Sequence, residues 1–328
     1  MEKKRIEFID LAKGFCIILV LINHVNSMYT FCQIGSIFRM PLYFFLSGLF
    51  FKTYSGFGEF LFRKCNRLFV PFLFFFAMGA LLNYCFLGWE LCIDEYISNE
   101  YIKANPAIWF LLSLFEVNII SFALVKLSKE KTLVMLLLFF LTGILGLALG
   151  HYGCNLYLYI DTSLTCTPFF FMGYLFRKKT NLLNKNSYDK FWLPIAIICF
   201  STVVSVYMHY QEYIDLRINK VPYHTIAFYT TSMIGIIGIL IIAKRIGHIP
   251  FISYIGKYSI VILGMHFFFN EFFRQFLNQY FGSFNPISDI ILFVIVLILS
   301  SAAIPILCKF TPKFIAQEDL IKMPQKKA

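Results

Sequence analysis

Ten stretches of this chain are apolar over a length that can cross a bilayer, roughly residues 8–29, 34–51, 68–88, 107–126, 132–150, 156–176, 191–209, 226–244, 252–271 and 287–308. About 20 apolar residues suffice for a helix to span the hydrocarbon layer. In lipid the backbone must satisfy its own hydrogen bonds, and a helix does so within one segment. The expected fold is therefore an all-α polytopic membrane bundle of about ten transmembrane helices. Composition agrees, with 59% hydrophobic and only 14% charged residues, against about 25% charged in soluble domains. The connections are short, so residues 1–328 are expected to form one integral-membrane domain with a short tail at about 310–328.

The start, MEKKRIEF, precedes an apolar run as in a signal peptide, but no small-residue cleavage site follows and the run carries charges, so a retained first helix is expected. A net charge of +11 would suit nucleic acid only if Lys and Arg gathered on one face with interleaved aromatics. Here they sit between the apolar stretches. With the N-terminus in the cytoplasm, only Lys103, Arg217, Lys220 and Arg274 fall outside, and Lys13 and Arg39 lie within the membrane. The positive-inside rule then places both termini in the cytoplasm. The nine cysteines fall mostly inside apolar stretches, with no C-x-x-C and no His at zinc-ligand spacing, so they read as small buried hydrophobes and no metal site is expected. Cys85, Cys92 and Cys154 lie near the outer face, where pairing is open.

The chemistry concentrates in the first two stretches. The first carries Asp10, Lys13, Asn23 and His24, and ionisable groups at such depth usually face the protein interior and serve a function. At about 100° per residue, the eleven steps from Lys13 to His24 return to nearly the same face, and Asp10 lies close to that line. One polar stripe is thus expected along an otherwise apolar helix. A neutral imidazole at His24 can take a proton from a hydroxyl and return it; the alternative is a structural histidine bonded to a carbonyl. The second stretch returns with Arg39 at about the depth of His24 and Ser47-Gly48 near the level of Lys13. Arg39 is either a snorkelling arginine or a fixed cation that holds an acceptor or a developing oxyanion. Ser47-Gly48 suits close helix packing.

Further along, Lys64 and Arg67 in FRKCNRLFVPF are three apart, one helical turn, and could clamp a phosphate from the cytosol. Trp109 reads as an interfacial aromatic. Glu116, about halfway through its stretch, is expected to pair with Arg39, Lys13 or His24, because an unpaired carboxylate there is costly. Asp161 and His266 complete the intramembrane ionisable residues, as supporting or structural groups.

IDLAKGFCIILVLINH, FRMPLYFFLSG and KCNRLFVP, with weaker echoes at WFLLSLF and IGKYSIVILGMH, resemble the motifs of the acyltransferase 3 family, the integral-membrane O-acyltransferases that modify sugars. The first matches a basic residue, ten residues, then histidine; the second a Met-Pro-Leu-Phe-Phe-Phe-Leu-Ser-Gly signature; the third a basic-x-x-Arg-Leu-x-x-Pro loop. The resemblance implies transfer of an acyl group, usually acetyl from acetyl-CoA, to a hydroxyl of a surface polysaccharide or its lipid-linked precursor outside a bacterial cytoplasmic membrane. It places the catalytic histidine at His24 and its basic partner at Lys13, where many relatives carry arginine. It places the donor-binding pair at Lys64 and Arg67. Arg39 stands where relatives often have histidine. Two rival readings remain at this point: a transporter or flippase for a lipid-linked saccharide, and a structural partner of an export machine. Neither an internal repeat nor matching broken helices, the mark of many transporters, is evident.

Overall fold

A computed structural model describes residues 6–23, 29–88, 102–180, 183, 191–222, 225–281 and 286–322. Among these residues every regular element is helical, apart from an isolated antiparallel bridge between Asp215 and Lys220. In chain order the helices are α1 (Glu7–Ile22), α2 (Tyr29–Ser36), α3 (Arg39–Leu49), α4 (Phe57–Lys64), α5 (Val70–Leu87), α6 (Trp109–Leu127), α7 (Thr132–His151), α8 (Ile160–Lys179), α9 (Trp192–Tyr210), α10 (Thr225–Ile246), α11 (Pro250–Lys257), α12 (Ser259–Phe281) and α13 (Pro286–Phe310). By length and apolarity, six of the described helical runs can cross a membrane: the α4–α5 run, α6, α7, α9, α10 and α13. The bent α11–α12 pair makes seven if it counts as one span.

Helix occurs within each of the ten apolar stretches, but three of them differ from a plain span. The first helix ends at Ile22 with Asn23 as its C-cap. The second stretch holds two short helices, α2 and α3, interrupted at Ile37 and Phe38. Pro41 explains where α3 begins: it lies in the first turn, where a missing N–H costs nothing. The ninth stretch is broken at Tyr258, and α11 meets α12 at 87°.

Small residues let backbones touch at two crossings. A methyl at Gly48 would overlap the Phe170 carbonyl, and one at Gly173 the Phe45 carbonyl, so α3 and α8 cross in direct backbone contact. Likewise a methyl at Gly256 would overlap the Asp10 carbonyl, and one at Gly14 the Ile252 carbonyl, which seats α11 flush on α1. The close packing expected of Ser47-Gly48 is thus present.

The chain beyond α13 is not a free tail through Lys322. Ile315 is fully buried, and Phe314 stacks on Phe74 with ring centroids 5.5 Å apart. Asn66 brackets the Ile321 backbone, accepting from its N–H at 2.8 Å and donating to its carbonyl at 2.9 Å. Residues 311–322 therefore form a strap across the end of the bundle that carries Lys64 and Arg67. Cys85 and Cys154 are free thiols, and Cys92 lies outside the described residues.

Candidate functional site

Two cavities lie end to end between α1, α3, α6 and α12. The larger, of about 530 Å³, is lined by Lys13 of α1, Tyr43 and Ser47 of α3, Lys64 and Arg67, and Lys257 at the α11–α12 break. Four cations from three separate segments thus face one space. Between α4 and α5 the helix widens into a π-turn over Cys65–Phe69, a feature often retained at functional sites, and Lys64, Arg67 and Leu68 all border the cavity. The Tyr43 hydroxyl donates to the Lys13 carbonyl at 3.0 Å, fixing α3 against α1 at this level. Ser47 and Asn118 of α6 exchange hydrogen bonds of 3.2 and 2.9 Å. Ser47 and Lys13 line the same cavity.

Lys64 and Arg67 both face the first cavity, but the strap already engages Arg67. Its Nη1 donates to the Ala316 carbonyl, and its Nη2 pairs with Asp319 at 3.2 Å. The simple two-residue clamp is thus modified: Arg67 is shared between the cavity and the strap, while Lys257, which sequence reasoning treats as a topology charge, joins the cavity.

The smaller cavity, of about 270 Å³, is bordered by Asn23, Gln33, Arg39, Asp215, Arg217 and His266. Arg39 is 8% exposed and its Nη1 donates to the Cys32 carbonyl at 3.1 Å, so it is buried within the bundle and does not snorkel to headgroups. Gln33 accepts from the Ile214 N–H at 3.1 Å, which holds the loop after α9 over the cavity. In that loop Arg217 pairs with Asp215 at 3.2 Å. His266 shares an Nδ1 hydrogen bond of 3.0 Å with the Ile262 carbonyl. A carbonyl can only accept, so Nδ1 carries a proton and donates it. Trp109 is 7% exposed and lines the same cavity, so its ring packs within the bundle.

Lys13, Ile17, Val20 and Asn23 are the α1 residues that face these cavities, a spacing of four, three and three that keeps one helical face. Lys13 and Asn23 thus share the cavity face, as the helix period implies, but apolar Ile17 and Val20 lie between them and the face is not one continuous polar stripe. His24 follows it directly in sequence but lies outside the described residues. Asp10 is buried on α1, one turn before Lys13, beneath the α11 contact, and borders neither cavity.

Glu116 has a different place from the one expected. It borders neither cavity and accepts from Ser163 Oγ of α8 at 2.7 Å, with Ser113 bonded to the same hydroxyl at 2.8 Å. On α6, Phe110, Leu111 and Leu114 turn to the first cavity, whereas Ser113 and Glu116, three apart, turn to α8. The helix period itself separates the two faces. The sequence marks Arg217 and Lys257 only as loop charges and does not mark Gln33 or Asp215: Asp215, Arg217 and Lys257 owe their positions to a loop or helix break set by distant contacts, and Gln33 sits on the short helix α2.

The family model described as "Acyltransferase domain", of the acyltransferase 3 family, matches residues 6–308. No curated protein matches the chain, and no solved structure does. With nearly the whole chain matched and the helical bundle in place, the protein belongs to the acyltransferase 3 family and is a multi-pass membrane acyltransferase.

Proposed function

We propose that this enzyme takes an acyl group, acetyl foremost, from acyl-CoA at the cytosolic face and passes it to a hydroxyl of a surface polysaccharide or lipid-linked saccharide at the outer face of a bacterial cytoplasmic membrane. The observation that carries this reading is the meeting of a cavity faced by four cations with a second, polar cavity on the same axis. Phosphates of CoA suit Lys64, Arg67, Lys257 and Lys13, since charge-assisted hydrogen bonds to phosphate are among the strongest available. The pantetheine arm then lies along the first cavity and brings the thioester to the junction. An acceptor sugar suits the second cavity, where Asn23, Gln33, Asp215 and Arg217 offer hydrogen bonds, and Arg39 supplies a fixed cation.

In the reaction the acceptor oxygen attacks the thioester carbonyl carbon, His24 takes the hydroxyl proton, and the C–S bond breaks as the new ester C–O bond forms. The imidazolium then returns the proton to the departing CoA thiolate. Ten membrane helices with both termini in the cytosol complete the proposed topology, and it places Lys64, Arg67 and Lys257 inside. Deleting the gene and weighing the surface glycans by mass spectrometry tests the reading. Loss of one acyl mass is expected; an unchanged glycan mass spectrum contradicts it.

A further inference from the structure

We infer that Val20, Met40 and Leu263 form a collar that limits this enzyme to short acyl groups. Among the described residues they are the ones that border both cavities. Each comes from a different helix, α1, α3 and α12, and each is buried, with exposures of 8, 9 and 5%. Where the two cavities adjoin, the described side chains they share are thus all apolar. Such a collar disfavours water, as hydrophobic constrictions do in pores, and it keeps bulk CoA and bulk saccharide on their own sides.

This inference rests on the proposed donor and acceptor sides, and it adds what the junction selects. If the phosphates lie among the cations and the acceptor lies in the second cavity, the thioester carbonyl meets the hydroxyl at the collar. His24 follows Val20 by four positions in the sequence. Whatever extends beyond the carbonyl carbon must then fit among the three side chains. A methyl group needs less room among buried Val, Met and Leu side chains than any longer acyl chain does. Each added methylene has to displace one of them, and one methylene in an apolar pocket changes relative rates by about 10- to 200-fold.

The test uses the full-length protein in lipid nanodiscs, with glycan from cells lacking the gene as acceptor and acetyl-CoA and butyryl-CoA as probes. Met40→Ala and Leu263→Ala each remove three side-chain atoms, room for the two further carbons of butyryl. Each should raise the butyryl-to-acetyl ratio of kcat/KM by at least about tenfold. The lipid-facing Leu137→Ala, exposed on α7, should leave the ratio unchanged. Val20→Ala serves as a further enlarging variant should either of the others fail to fold. Folded variants that transfer acetyl with an unaltered ratio would overturn the collar while leaving the proposed reaction intact, as would a wild type that uses both donors equally. A wild type that transfers from neither donor would overturn the proposed reaction and the collar with it.

Discussion

Replacing Asp319 by Asn should tighten the use of acyl-CoA, the opposite of what Arg67→Ala should do. Arg67 is held by a carbonyl and a carboxylate of the strap, and that carboxylate competes for the guanidinium that a donor phosphate would use on the proposed reading. The Arg67 and Asp319 side chains are 49 and 54% exposed. A pair so open to water is worth about 0.2–1 kcal/mol. Removing its charge while keeping its shape should therefore lower the KM for acyl-CoA by roughly 1.4- to 5-fold, since 1.4 kcal/mol is tenfold. Losing Arg67 removes a charge-assisted bond worth about 1.5–3 kcal/mol and should raise KM by roughly 10- to 150-fold. Initial rates against acyl-CoA concentration, measured at low and high salt, separate the two variants. Both effects should shrink at high salt, where exposed charge is screened. A higher KM in Asp319→Asn would refute the reasoning, because the carboxylate would then be supporting the donor site and not competing with it.

Three further outcomes follow from the packing. Glu116→Gln should retain most of the transfer rate, because an amide oxygen still accepts from Ser163, whereas Glu116→Leu should cost about 1–3 kcal/mol in thermal unfolding; a dead Gln variant would restore Glu116 to the chemistry. Gly256→Ala should destabilise by about 1–3 kcal/mol as its methyl meets the Asp10 carbonyl, while Gly58→Ala, with open space around it, should be neutral or stabilising; equal melting temperatures would contradict the α1–α11 contact. Lys13→Arg should keep activity and Lys13→Ala lose it, and if Asp10 and Lys13 act together, each single alanine variant should cost about 3–5 kcal/mol and the double variant less than their sum; additive losses would show independent roles.

The sequence made the bundle legible because lipid leaves the backbone so few options, and it made α1 legible because a helix period is rigid. The spacing from Lys13 through Asn23 mapped directly onto the cavity wall. What sequence spacing does not carry is where a helix breaks and which distant segment covers its end. The right-angle turn at Tyr258 follows from the flush seating of α11 on α1 through Gly256 and Gly14, a contact between residues more than two hundred positions apart. That turn is what brings Lys257 to the first cavity. The strap depends on Asn66 capturing the backbone of Ile321, and nothing local to either residue signals it. Glu116 misled for the converse reason: a mid-membrane carboxylate invites a cation, yet a serine one helix away satisfies it at 2.7 Å.

The central claim is that acyl transfer crosses the bilayer while CoA stays on one side. Sealed proteoliposomes with the protein in a single orientation, given acyl-CoA labelled in the acyl group on the Lys64 and Arg67 side and acceptor glycan on the other, measure this directly. Label should appear on the glycan at a rate that saturates with donor, free CoA thiol should accumulate only on the side of addition, and His24→Ala vesicles should show neither. Transfer that requires donor and acceptor on the same side, or CoA emerging with the acyl group on the far side, would contradict the account.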